Sequence, residues 1–174
     1  MQQLIKNGAL VDDHWTLLRE IAAGDALPTT KIIVPLAVWR AVDAPTRARN
    51  DVGVWLAPAD DPALLAADTG GLPLIAIDFP KFADGRGYSS ARLLRERFGF
   101  KGELRAIGDI QRDQLYYLHQ VGFDAFAIRD GKDAQDALKS LGDFTDGYQV
   151  TNRRTPWFRR SDADVRLRHR GALE

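Results

Sequence analysis

Charged side chains and glycines crowd together directly after the apolar run that ends at Ile77. Carboxylates can donate or accept protons, while lysine and arginine attract oxyanions such as phosphate, sulfate or carboxylate. The same residue types also build ordinary turns and helix caps, so a purely structural role stays open. The candidate ligand-binding residues of this stretch are Asp78, Lys81, Asp84, Arg86 and Tyr88.

The segments around these residues alternate between strand-like and helix-like patterns. Residues 72–77 are apolar and predict a strand buried on both faces, which Asp78 ends, and Ser89 or Ser90 could cap a following helix. The expected strand and helix pairs are 52–57 with 62–66, 72–77 with 90–98, 103–107 with 110–121, and 123–128 with 134–141. Strands that are each followed by a helix predict right-handed crossovers and a mainly parallel sheet.

We therefore expect an α/β fold with four to five mainly parallel strands and connecting helices. The sheet and its helices could form an open sandwich or a partial (β/α) barrel. Residues 2–11 predict a β-type lead-in with a turn at Gly8, and Pro35 should confine the run 30–39 to an edge or end it early. Residues 1–150 would form a single α/β domain, with a further strand near 145–151. Residues 151–174 would form a basic, extended C-terminal tail.

The next strand–helix joint carries Asp109 and Arg112. Because ligands collect at the carboxyl ends of parallel strands, we expect these two residues near the 78–88 group. Arg129 and Asp130 of the following joint would lie there as well. Such an edge suits a small anion, since helix N-termini and arginine forks bind oxyanions. Asp109 could equally cap its helix, and Arg112 could be a solvated surface charge.

Several kinds of chemistry are excluded by composition. The 174 residues contain no cysteine, so the chain forms no disulfide, thiolate nucleophile or cysteine-ligated iron–sulfur or zinc centre. The three histidines have no metal-ligand spacing, and no metal is expected. Neither a dinucleotide-binding nor a P-loop motif occurs, which leaves any cofactor unassigned. The absence of a long apolar run and of a signal-peptide pattern predicts a cytoplasmic protein without a membrane partner.

Charge is unevenly distributed although the formal net charge is zero. Residues 151–170 hold seven arginines and two aspartates, and residues 1–150 are net acidic. Arginine beside Trp157 and Phe158 could bind nucleic acid. A neutral chain with one short basic tail favours an acidic protein surface, including a second copy of the chain, over nucleic acid.

A long stretch of the chain resembles a bacterial family of unknown function whose members are labelled as oxidoreductases involved in sulfite reduction. The resemblance is carried by residues 77–95, 102–115 and 122–126, and it includes the run Ile32-Ile-Val-Pro-Leu36. The family label implies association with assimilatory sulfite reductase. It implies no particular catalytic residue.

Three functions follow as hypotheses. The first is an oxidoreductase or accessory protein of assimilatory sulfite reduction, with sulfite reductase components as partners and an anion-binding loop at 78–92. The second is a non-redox α/β enzyme or binding module for a phosphorylated or carboxylated metabolite. The third is a structural protein whose basic tail and sheet edge dock a partner or a second copy.

Overall fold

The structure is a computed structural model that describes residues 3–81, 83–128 and 133–142. Its strands are β1 (Gln3–Lys6), β2 (Ala9–Asp12), β3 (Thr16–Leu17), β4 (Ile32–Pro35), β5 (Val52–Leu56), β6 (Leu74–Phe79), β7 (Glu103–Gly108) and β8 (Ala125–Ala127). Its α-helices are α1 (Leu36–Ala41), α2 (Ala44–Arg47), α3 (Arg86–Arg92), α4 (Leu115–Gln120) and α5 (Ala134–Lys139). Short 3-10 turns cover Pro62–Leu65, Arg112–Gln114 and Ser140–Gly142, and a π-turn at Leu93–Arg97 continues α3.

Among the described residues, all eight strands belong to one sheet in the order β2-β1-β8-β7-β6-β5-β4-β3. Strands β3 to β8 run parallel in chain order, whereas β1 pairs antiparallel with both β8 and β2. The turn between β1 and β2 is Asn7-Gly8, with positive φ at both residues, a combination that favours a tight hairpin.

The two faces of the sheet are covered differently. Alternate residues of β6, including Ile75, Ile77 and Phe79, pack with residues of all the helices except α2 in the main core. Their neighbours in β6 join a smaller core on the other face, whose members all come from strands apart from Trp15. When successive right-handed crossovers proceed in one direction along a sheet, they place the connecting helices on the same face.

A three-residue connection shows how strongly the sheet curls. Laid flat, eight strands would span about 34 Å from edge to edge. The residues that join the edge strands β2 and β3 are only Asp13, His14 and Trp15, which reach at most about 14 Å from Asp12 to Thr16. The edges must therefore approach each other, and the sheet forms a curled half barrel. We call the helix-free side its concave face.

The fold class is therefore mixed α/β. The expected number of four to five strands is wrong, although most of the described strand pairings are parallel, as expected. The structure has eight strands, and the pairing is partly antiparallel. Strands of two to four residues at the N-terminus are too short to give a clear alternation of apolar residues. The strand that contains Pro35 ends at that residue and lies inside the sheet, between β3 and β5.

Two boundaries near the candidate site also differ from expectation. Strand β6 continues through Asp78 to Phe79, because Asp78 faces the concave side, where it has a charged partner. Helix α3 begins at Arg86, before the serines expected to cap it, and Ser90 instead donates to the Arg86 carbonyl. The expected strand at 145–151 and the C-terminal tail lie outside the described residues, so the division at residue 150 stays a prediction.

Candidate functional site at the carboxyl ends of the strands

The carboxyl ends of β6 and β7 are held unusually close together. The Asp109 amide donates to the Phe79 carbonyl at 2.7 Å. Gly108 has φ of +99°, and a Cβ atom at this position would collide with the Phe79 carbonyl oxygen. Only glycine fits such a conformation and approach without strain. The close approach places Asp78 and Asp109 on adjacent strand ends, as the sequence predicts.

Asp78 forms the centre of the site on the concave face. Its side chain is almost fully buried and accepts a hydrogen bond from Nη2 of Arg19 at 2.8 Å. The Arg19 guanidinium also lies 5.5 Å from the centre of the Trp55 ring, and the Trp55 indole donates to the Leu18 carbonyl at 3.1 Å. Hydrogen bonding to Asp78 raises the pKa of Arg19 further. Arg19 is therefore charged and oriented on two sides.

Two nitrogens of the Arg19 guanidinium, Nε and Nη1, donate to no described residue. The Arg19 side chain is about half exposed, and among the described residues only Nη2 donates a hydrogen bond. A guanidinium carries five N–H donors in a rigid fork. Stacking and the Asp78 contact fix the fork while leaving Nε and Nη1 available to an incoming oxyanion.

The loop after β6 is more self-contained than the sequence suggests. Arg86 donates to both carboxylate oxygens of Asp84, at 3.0 and 2.7 Å, and its amide donates to the same carboxylate. These contacts lower the pKa of Asp84 and raise that of Arg86. Lys81 is exposed and forms no ion pair with another described residue. The loop thus carries two cations: Arg86, which is paired with Asp84, and Lys81, which has no ion-pair partner among the described residues.

Tyr88 connects this loop to the next one. Its ring packs edge-on against Phe79, with the centroids 5.8 Å apart, and its hydroxyl hydrogen-bonds the Gln114 side chain. Burial raises the pKa of Tyr88, the hydrogen bond with Gln114 opposes that shift, and the charge of Asp113 adds to it. Tyr88 is therefore protonated at neutral pH and suited to hydrogen bonding rather than to acting as a base.

Arg112 lies beside a cavity of about 360 Å³ at the carboxyl end of β8. The cavity lies between the turn that precedes α4 and the start of α5, and its described lining residues include Ile110, Gln111, Ile128 and Asp133. Arg112 faces Asp136 across 3.3 Å, and both side chains are about half exposed. Exposed pairs of this kind contribute about 0–1 kcal/mol, so a ligand carboxylate or phosphate could replace Asp136.

The predicted residues therefore fall into three neighbouring groups. Asp78 lies on the concave face. Tyr88 and the Asp84–Arg86 pair follow on the helix side, and Arg112 borders the cavity near α5. Asp109 is half-buried directly after β7, and the N-cap position of the following turn is Gln111, whose amide donates to the Gln114 side chain at 3.0 Å. Arg129 and Asp130 lie outside the described residues. Ligand binding by any of these residues stays a prediction.

Arg19 is the functional candidate that sequence reasoning missed. It follows a two-residue strand, and its partner Asp78 is 59 positions away. The only local signal is an arginine at the end of the apolar patch that contains Trp15, Leu17 and Leu18.

A metal site finds no support in the described ranges. In them, no three histidine, aspartate or glutamate side chains are grouped as metal ligands would be. The same part of the chain contains no helix that is both long and apolar enough to cross a bilayer.

The chain belongs to a bacterial family. Residues 53–158 match the family described as "Bacterial protein of unknown function (DUF934)", which covers β5 to α5 and the strand ends that carry Asp78 and Arg112. No curated protein and no solved structure shows significant similarity to the chain.

Proposed function

We propose that the protein is an oxidoreductase or accessory protein of assimilatory sulfite reduction that binds a small oxyanion, with sulfite as the first candidate. The pathway is supported by the resemblance of residues 77–95 to proteins with that label. The observation that carries the anion site is Arg19, stacked on Trp55, paired with Asp78 and still offering free donors.

The chemistry of the site favours sulfite over a neutral ligand. A three-oxygen anion can accept a charge-assisted hydrogen bond from Nε or Nη1 of Arg19, the two nitrogens that donate to no described residue. Asp78 pairs with the guanidinium and can accept a hydrogen bond from a protonated ligand oxygen. Lys81, on the loop that follows β6, adds a second positive charge at the same end of the sheet.

The missing cysteines favour the accessory form of this function. Electron transfer to sulfite uses cofactors such as iron–sulfur clusters, and this chain has no thiolate to hold one. We therefore expect the protein to deliver or retain the anion for a reductase that supplies the electrons. A sulfite reductase component is the partner that this proposal requires.

The test is anion binding by the Arg19→Lys variant with Arg92→Lys as its matched control. Lysine keeps the charge beside Asp78 but loses the fork, while Arg92 is an exposed helical residue paired only with Glu96 among the described residues. Ligand at about 100 times its dissociation constant adds about 2.7 kcal/mol of stability, or about 5–10 °C in Tm for a chain of this size. Sulfite should give this shift with wild type and R92K but not with R19K.

Binding to sulfite reductase should be measured alongside. Equal sulfite shifts for R19K and wild type would contradict the assignment of Arg19. Absence of both sulfite binding and reductase binding in the wild-type protein would end the sulfite proposal in either form.

The second candidate function is a non-redox module for a phosphorylated or carboxylated metabolite. The cavity beside Arg112, at about 360 Å³, is much larger than sulfite needs and lies in the size range of ligand pockets, about 300–1,000 Å³. Arg112→Ala should then remove stabilisation by a carboxylate such as citrate and leave that by sulfite intact. Loss of both responses in R19K alone would reject this candidate.

A further inference from the structure

A second cavity, of about 510 Å³, lies at the amino ends of the parallel strands. The residues just before β4, β5, β6 and β7 surround it, together with the turn between β1 and β2. It is thus at the opposite end of the half barrel from Arg19 and Asp78. Its polar and aromatic lining residues include Lys6, Asn7, Trp15, Lys31, Asn50 and Lys101.

Each carboxylate in the lining is already paired with an arginine that is not among the lining residues. The three pairs, with their N–O distances, are Asp51–Arg49 at 2.8 Å, Asp124–Arg95 at 2.6 Å and Glu103–Arg105 at 2.7 Å. These carboxylates therefore contribute no uncompensated negative charge to the cavity.

Lysines give the cavity an excess of positive charge. Lys6 lies 2.7 Å from Glu103 and balances its charge, because Arg105 is shared between Glu103 and Asp13. Lys31 lies 5.9 Å from the centre of the Trp15 ring, and Lys101 is exposed. Neither of these two ammonium groups forms an ion pair within the part of the chain that the structure describes. Two cations, Lys31 and Lys101, therefore face one cavity without a matching carboxylate among the described residues.

We propose that this cavity binds a small phosphate-bearing molecule with at least two negative charges. Three nearby backbone amides, those of Asn7, Ile32 and Glu103, donate to neighbouring carbonyls, so the proposed anion contacts are assigned to side chains. Lys31 and Lys101 are its principal ligands, and the half-buried Trp15 supplies an apolar wall for the rest of the molecule. The site is independent of the proposed sulfite site.

The experiment titrates the full chain with pyrophosphate and with AMP, following Tm and calorimetric heat. The variant is Lys31→Ala/Lys101→Ala, and the control is Lys139→Ala, an exposed lysine on α5. Because two charge contacts are removed, the double variant should weaken binding of either probe by at least about tenfold. The control should bind as wild type does, and R19K should as well.

Binding that is unchanged in the double variant would overturn the proposal, as would failure of both probes to bind wild-type protein at millimolar concentration. If a polyglutamate peptide binds where pyrophosphate and AMP do not, the surface docks an acidic protein and the proposal is wrong. The lysines are exposed, so the unliganded Tm of the double variant should equal that of wild type and serves as the folding control.

Discussion

Removing the carboxylate of Asp13 should destabilise the protein far more than its place in a short connection between strands suggests. Asp13 lies in the connection from β2 to β3, and its Oδ2 accepts from Nη1 of Arg105 at 2.7 Å. Arg105 projects from β7 onto the concave face and is only 2% exposed. Its other partner is Glu103, at 2.7 Å. Asp13→Ala would leave a buried guanidinium with one carboxylate in place of two.

The magnitude follows from these contacts. Breaking a buried ion pair costs about 3–5 kcal/mol when the remaining charge has no other partner. Because Arg105 keeps Glu103, we expect a smaller electrostatic loss, about 2 kcal/mol. The Asp13 carboxylate also accepts from the Trp15 amide at 3.0 Å, a bond worth about 1 kcal/mol. The sum, about 3 kcal/mol, corresponds to about 6–12 °C in Tm.

The assay is urea unfolding of wild type, D13A and the neighbouring control Asp12→Ala. Asp12 is exposed at the end of β2, and surface substitutions of this kind usually stay within about 0.5 kcal/mol. A double variant, D13A with Arg105→Met, removes the stranded charge and should recover much of the loss. If D13A and D12A unfold at the same urea concentration, Arg105 does not depend on Asp13 and the reasoning fails.

Three further predictions concern the strand ends and their supports. Gly108→Ala should lose at least about 1–2 kcal/mol, because its positive φ disfavours a side chain and the new Cβ would meet the Phe79 carbonyl; an unchanged thermal midpoint would contradict this. The folded-state pKa of Tyr88 is raised, so its contribution to stability should be present below about pH 10 and lost as the pH rises through that higher pKa. In an ultraviolet titration, the difference between wild type and Tyr88→Phe should show that the Tyr88 hydroxyl ionises at a higher pH than a free tyrosine. Arg95 donates to three backbone carbonyls and to Asp124, so Arg95→Lys should cost about 2 kcal/mol in chemical unfolding, and a loss below experimental error would show that lysine can replace the fork.

The parallel strands could be predicted from the sequence because they are apolar and each is followed by a helical pattern. The residues 74–77 and 103–107 gave strands near their expected positions. Burial on both faces removes the alternation that would have distinguished the two sides, so the sequence could not show that Arg105 is enclosed. Its burial depends on Asp13, a residue 92 positions away.

The positions of the candidate residues, though not their function, could be predicted in part, for a similar reason. Asp78 was identifiable as a polar residue ending an apolar run, and parallel topology placed Asp109 beside it. Arg19 could not be identified from the sequence, because it becomes a candidate ligand-binding residue only through its contacts with Trp55 and with Asp78 across the sheet. Local patterns identify the residues at strand ends, whereas the partners that cross the concave face depend on tertiary packing.

The pairing of strand β1 with strand β8 has a consequence for the order of folding. Strand β1 is the first of the described strands along the chain, yet it pairs with β8, the last of the parallel strands. The N-terminal segment can reach its native place only after β7 and β8 have joined the sheet, so its contacts close the longest loops in the chain. Such contacts tend to form late, because the chain loses the conformational entropy of closing a long loop before the contacts stabilise it. We expect hydrogen exchange during refolding to protect β5 and β6 first and β1 last.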